Sequence, residues 1–332
     1  MNAPENFSPE RAADTASAAA LLEMADRLGL LTQFAYGQPV SARRLAQDSG
    51  LPEISIAKYL EAMSAAAIMT EVAGEPGTFQ VVPDFADIIY EAGYLSWVLN
   101  ANRPFIDHVA EFFADPREAG QRYPRDLRQV AVSSQWMGSY AFYPVALSTI
   151  LGAAPAHAVD LGAGTARLLI DVLRELTDST AVALDIDGGA CEEAALAAKS
   201  AGVGGRLTVT ERPIQSIATD PRPVEGADVI HAGFVFHDMM PDEEDVADAV
   251  LENCRRAIRP GGFMAITDAV PYATDPRERR FSAIVTYYHQ HFMGRRLLNE
   301  EEWRRKLLSV GFSSVECVRH RFPAGRFFLA RK

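Results

Sequence analysis

The feature that most constrains this chain is Val159-Asp160-Leu161-Gly162-Ala163-Gly164-Thr165, an apolar strand whose Asp-x-Gly-x-Gly end runs straight into an amphipathic helix. Glycines just after a strand let the backbone turn tightly, approach a ligand closely and aim a helix N-terminus at it. One glycine pair says little by itself. At the spacing of one β-α-β unit, however, comes Ala181-Val182-Ala183-Leu184-Asp185, a second apolar strand that ends in an acid. An acid there is placed to accept hydrogen bonds from a ribose diol. Together the two strands predict a site for a nucleoside-containing cofactor.

From His157 onward strands and helices alternate. Strands are predicted over 158–161, 181–185, 207–210, 227–232 and 262–267, with helices over 167–176, 190–201, 243–257 and 300–310. That order implies an α/β fold: a doubly wound, Rossmann-like, mostly parallel sheet with helices on both faces. Two terminal strands, near 315–318 and 326–330, read as a hairpin that adds one antiparallel strand. Such a strand separates methyltransferase-type sheets from dehydrogenase-type ones. A dehydrogenase would also open the chain with its glycine turn and show a third glycine where Ala166-Arg167 follow Thr165.

The 332 residues suffice for two domains, expected over 1–150 and 151–332. The N-terminal part carries a helical pattern from about Pro9 to Leu31, a short helix from Ser41 closed by Gly50, and a helix over 55–67. The segments 69–72 and 78–82 flank a Gly-Glu-Pro-Gly turn, so these elements predict a winged helix. Its second helix carries Glu53, Lys58 and Glu61 with no basic face. A net charge of −12 also disfavours nucleic acid and anionic membrane as partners, so the module is expected to dimerise the chain. Cys191, Cys254 and Cys317 are too few and scattered for a disulfide framework or a CxxC site. With no basic-then-apolar signal at the N-terminus and no bilayer-length apolar run, a cytoplasmic protein is expected. Helices rich in aromatic residues, among them Tyr140, Phe142 and Tyr143, follow from about Tyr90 to Leu151; some of these side chains are expected to wall a ligand pocket.

The Asp160–Gly164 turn, Asp185, Phe234-Val235-Phe236-His237-Asp238, Arg259-Pro260-Gly261-Gly262 and the N-terminal module together resemble small-molecule methyltransferases that use S-adenosyl-L-methionine. The resemblance implies that Asp160, Gly162 and Gly164 hold the methionine part of the cofactor, and that Asp185 with Ile186 holds the ribose. It further implies that Arg212, Pro213 and Ile214 frame the adenine, with Phe234 close by. The acid usual after the third strand is absent. In the O-methyltransferases of this build a His after the fourth strand removes the acceptor's proton, the role implied for His237, with Asp238 beside it. Met239 replaces the Trp of that pattern, and Asp268 replaces the Glu that orients the base.

A second branch, the iron-dependent C-methyltransferases of α-keto acids, is more similar in its motifs. There the His-Asp pair and a further His ligate non-haem iron, which implies His237, Asp238 and either His289 or His291. Arg125 is the candidate clamp for a substrate carboxylate, with Arg122 and Arg103 as alternatives. Tyr140 and Tyr143 are candidates to face the sulfonium. The reading that leads is C-methylation of an α-keto acid in specialised metabolism. O-methylation of an aromatic or polyketide hydroxyl stands second, and cyclisation of the cofactor itself, as in azetidine-forming relatives, stands third.

Overall fold

The computed structural model describes residues 9–272 and 274–332. The first eight residues, part of the stretch in which no targeting signal is read, lie outside the described residues. Two compact units emerge: residues up to Asp107 with Pro124–Tyr140, and His108–Tyr123 with Ala141–Lys332. No described helix is long and apolar enough to cross a membrane.

The first unit begins with α1 (Pro9–Arg27), followed by β1 (Val40–Ser41), α2 (Ala42–Ser49), α3 (Glu53–Ala65), β2 (Met69–Glu71), β3 (Thr78–Val81), α4 (Phe85–Ser96) and α5 (Arg103–Asp107). Ser41 caps α2 by accepting from the Arg44 amide, and Gly50 ends it at φ 72°, a left-handed conformation that costs glycine nothing. The strands pair antiparallel in the order β1-β3-β2. Leu22, Leu45, Leu60, Met63 and Ile68 form the centre of this unit's core.

The chain then passes through α6 (Val109–Ala114) and α7 (Pro116–Arg122) of the second unit, α8 (Leu127–Ala141), and α9 (Tyr143–Ala153). Beyond α9 the structure has the alternation read from the sequence. It runs β4 (His157–Leu161), α10 (Arg167–Glu175), β5 (Thr180–Asp185), α11 (Gly188–Ser200), β6 (Leu207–Glu211), β7 (Val229–Gly233), α12 (Glu244–Ala257) and β8 (Phe263–Ala269). Helices α13 (Pro276–Tyr287) and α14 (Glu300–Ser309) precede β9 (Ser314–Arg319) and β10 (Gly325–Arg331). Among the described residues the sheet has seven strands in the order β6-β5-β4-β7-β8-β10-β9. β4, β5, β6, β7 and β8 run parallel, and β10 lies antiparallel between β8 and β9. All seven residues of β8 are buried, as expected of a strand covered on both faces.

The order reverses at β4, so the carboxyl ends of β4, β5 and β7 open on the crevice where doubly wound sheets take ligands. The start of β8 is held by a close approach. A Cβ on Gly262 would stand 2.4 Å from the Asp228 carbonyl and 2.7 Å from Ile258 Cγ2. The backbone oxygen cannot step aside without moving the entry to β7. Gly262→Ala is therefore expected to destabilise the protein by about 1–3 kcal/mol, read by chemical unfolding. Wild-type stability in that variant would contradict the packing described.

Candidate active site

The glycine turn after β4 carries left-handed residues at Gly162 (φ 73°), Gly164 (φ 54°) and Ala166 (φ 55°). A Cβ at 162 would come within 2.3 Å of Val235 Cγ1, on the loop after β7, so a side chain here would collide with that loop. Helix α10 starts at this turn without a side-chain cap, which leaves its first backbone N–H groups and the positive end of its dipole facing outward.

Asp185, at the tip of β5, accepts from Gly164 N through Oδ2 at 2.7 Å and from Asp187 N through Oδ1 at 2.9 Å. Each carboxylate oxygen keeps a further lone pair, so the group is fixed in place and still able to accept from a diol. Ile186 follows, 71% exposed, an apolar surface open to solvent among the described residues. A nucleoside fits the arrangement: a side-chain-free turn, an anchored acid and an apolar platform.

Other expected contacts stand differently. Asp160 is buried, and its Oδ1 lies 2.7 Å from Nδ1 of His231 on β7. No sequence spacing links the two residues; they meet across adjacent parallel strands. Arg212 is turned back on its own loop, with Nε donating to Ser216 Oγ at 2.7 Å and Nη1 lying 3.1 Å from Asp220. Pro213 is exposed and Ile214 is buried in the sheet's core. The third strand does end in an acid: Glu211 pairs in register with Asp185, and its carboxylate reaches the place a Cβ on Gly188 would fill.

The second group of residues gathers after β7. His237 lies on a tight turn (Phe236–Met239) and is 6% exposed. Its Nδ1 stands 2.5 Å from Oδ1 of Asp268, a fully buried residue of β8 whose same oxygen accepts from Ala269 N. The replacement of the usual Glu thus keeps a carboxylate behind the imidazole. Nε2 of His237 is 3.1 Å from Asp238 Oδ1, and Arg295 Nη1 lies 2.7 Å from that same oxygen. Burial by itself would lower the His237 pKa. The Asp268 charge and the hydrogen bonds to Asp238 and Asp268 outweigh it and hold His237 at about 9. Burial pushes Asp238 upward, but the bond and charge of His237, with Arg295 and His289, keep it at about 2.

His289 and His291 sit in a π-helical turn (Tyr288–Phe292) that follows α13. His289 is buried, with its ring 5.0 Å from that of His237 and its Nδ1 donating to the Val285 carbonyl at 2.7 Å. His291 is exposed and its ring lies 4.9 Å from Tyr287, so it is no partner of His237. The expected iron set finds no support here. Among the described residues no group of three or more His, Cys, Asp or Glu side chains is placed to hold a metal ion. The physical reason is at Asp238, whose carboxylate is already neutralised by the Arg295 guanidinium and the His237 ring. These residues do not fit a metal.

Phe234 adopts φ 56°, a strained backbone for an aromatic residue and one that places its ring 4.6 Å from Phe142 and 6.4 Å from His237. Phe322 closes on the same group, 6.3 Å from Phe234. Tyr143, expected near a sulfonium, instead bonds Asp171 through its hydroxyl, with the Arg167 guanidinium over its ring. Tyr140 belongs to the first unit, where it lies 5.9 Å from Tyr90. Arg125 belongs there as well, 3.5 Å from Asn102. Arg103 pairs with Asp107, and Arg122 lies over Tyr123.

The fold is that of S-adenosylmethionine-dependent methyltransferases of the Rossmann-like class. Residues 159–264 match a family described as a methyltransferase domain. The chain is similar to 2-ketoarginine methyltransferase of Streptomyces arginensis, 28% identical over 202 residues, which cover 56% of this chain and 55% of that protein. It therefore spans about half the length of that relative. Aclacinomycin 10-hydroxylase RdmB of Streptomyces purpurascens is 30% identical over 146 residues, 44% of this chain and 37% of that one. Among solved structures, PigF with SAH superimposes with a TM-score of 0.61 at 16% identity, covering 98% of this chain and 100% of PigF.

The environment of His237 makes a pH prediction. The folded value lies above the ordinary 6.5, so the stability contributed by protonated His237 is complete below about 6.5 and is lost as pH rises through about 9. NMR of the histidine ring nitrogens should show an imidazolium that persists to that range, and Asp268→Asn should lower its titration. A His237 that titrates near 6.5 in the wild type would contradict the two-carboxylate environment.

Proposed function

We propose that the second unit binds S-adenosylmethionine at the glycine turn and transfers its methyl group to a small anionic acceptor, the carbon beside the keto group of an α-keto acid. The observation that carries this reading is the buried His237–Asp268 pair at the carboxyl end of β7 and β8. The likeness to 2-ketoarginine methyltransferase supports the acceptor class. On the cofactor side, Asp160, Gly162 and Gly164 would serve the methionine part, Asp185 the ribose, and Ile186, Pro213 and Phe234 the adenine and sulfonium. Arg212 and Ile214 contribute as scaffold, and Glu211 joins Asp185 as a second acid.

When bound, S-adenosylmethionine supplies an electrophilic methyl group on sulfur. The chain's own part is the proton. His237, protonated below about 9 while both carboxylates face it, must first give up its Nε2 proton to solvent; Asp268, accepting from Nδ1–H, then keeps the neutral ring in the tautomer whose Nε2 lone pair is available. Once Asp238 has swung off Nε2, that nitrogen takes a proton from the carbon next to the keto group. The C–H electron pair becomes the enolate, whose carbon forms the new bond to the methyl group while the C–S pair stays with sulfur. His237 then returns its proton to solvent. The aromatic group of Phe142, Phe234 and Phe322 excludes water from the reacting carbon. No step runs through iron.

The same pair would deprotonate a hydroxyl, and the aromatic walls beside it favour O-methylation of a flat acceptor as the second reading. We further read the first unit, with its order β1-α2-α3-β2-β3, as a winged helix used for homodimerisation, which sedimentation of the purified chain tests.

The deciding experiment is incubation with methyl-labelled S-adenosylmethionine, with and without a panel of α-keto acids and phenols, followed by mass analysis of every product. Label in a keto acid, lost in His237→Gln while S-adenosylhomocysteine binding persists, is the expected result. Label in a phenol would establish the second reading. Methylthioadenosine released without an acceptor would establish cyclisation, and absence of cofactor binding would overturn all three.

A further inference from the structure

We propose that Arg295 recognises the carboxylate of the acceptor and thereby selects anionic substrates. The inference rests on the α-keto acid reading above and deepens it. Two arginines stand side by side after the π-helical turn, and they are used differently. Arg296 is spent on two carboxylates, with Nη1 3.1 Å from Glu244 and Nη2 2.9 Å from Glu302. Arg295 has one, Asp238, reached through Nη1 alone; that nitrogen also lies 3.7 Å from Met293 Sδ. Its Nε and Nη2 make no hydrogen bond or ion pair among the described residues.

Nε and Nη2 form one edge of the guanidinium, and that edge matches the two oxygens of a carboxylate. The side chain is one-quarter exposed, so this edge is neither sealed in the core nor loose in solvent. The backbone fixes where the side chain emerges. Arg295 N donates to the His289 carbonyl at 2.8 Å, and Gly294 makes the turn at φ 64°.

Position completes the case. One oxygen, Asp238 Oδ1, lies within reach of both Arg295 Nη1 and His237 Nε2. An anion that takes the place of Asp238 at Nη1 therefore stands close to the nitrogen that is to take the proton. In an α-keto acid a single carbonyl carbon separates the carboxyl carbon from the carbon that loses its proton, so the groups that serve the two must be neighbours, as Arg295 and His237 are through their shared contact with Asp238 Oδ1. The incoming carboxylate competes with Asp238 for the guanidinium, so seating the acceptor loosens the side chain that covers His237 Nε2. A neutral ester or amide has no such purchase, because it brings no charge to compete with Asp238 for the guanidinium.

The test compares wild type with Arg295→Gln, Arg295→Lys and Asp238→Asn. For each, kcat and KM are measured for an α-keto acid and its neutral amide, and affinity for S-adenosylhomocysteine is measured by calorimetry. Arg295→Gln should raise KM for the acid by about tenfold or more, erase the preference for acid over amide, and leave the S-adenosylhomocysteine affinity unchanged. Arg295→Lys, which keeps the charge and loses the fork, should recover part of the preference. Equal changes for acid and amide would overturn the proposal, as would reproduction of the whole effect by Asp238→Asn, because Arg295 would then act only by holding Asp238. Direct binding of the keto acid, followed by NMR, separates this failure from that of the parent reading. A wild type that binds the acid through Arg295 yet never methylates it would sink only the parent reading.

Discussion

A carboxylate with no exposure to water survives only beside a compensating charge or a full set of donors. Asp268 is such a group, and its compensation is the imidazole of His237 together with the Ala269 amide. Much of the site depends on that pairing. It fixes which nitrogen of His237 faces the crevice, and it joins the turn after β7 to the end of β8. It also requires the next carboxylate, Asp238, to be matched by a cation of its own. Arg295 fills that role, which is why the cluster is closed by an arginine where a dication was expected.

The cofactor side obeys a steric constraint. Gly162 stands where a single methyl group would meet Val235, and Val235 belongs to the loop that also carries Phe234 and His237. The turn that approaches a nucleoside and the loop that presents the base are thus in contact with each other. The sheet order places both at the carboxyl ends of adjacent parallel strands. Register does the same for the acids, setting Glu211 beside Asp185.

Much of this was legible in the chain because it is local. The glycine turn, the acid ending β5 and the alternation of strands and helices are patterns over a few residues, and the structure has them within a residue or two of their expected ends. The pairing of His231 with Asp160, the anchoring of Arg212 by Asp220 and the meeting of Arg295 with Asp238 were not legible, since each depends on strand register or loop return. Which of His289 and His291 turns inward was not legible for a different reason. A π-helical turn changes the phase of the side chains, so ordinary helical spacing does not say which histidine points inward. Glu211 is not legible as the site acid because it is the third strand's last residue, whereas the family pattern has the acid after that strand.

The central claim is that His237, backed by Asp268, takes the proton from the carbon that is methylated. Exchange at that carbon tests it without any methyl transfer. With S-adenosylhomocysteine present and an α-keto acid in deuterated water, NMR should show deuterium entering beside the keto group in the wild type, and no catalysed entry in His237→Gln. Exchange at the same rate in both proteins would contradict the account.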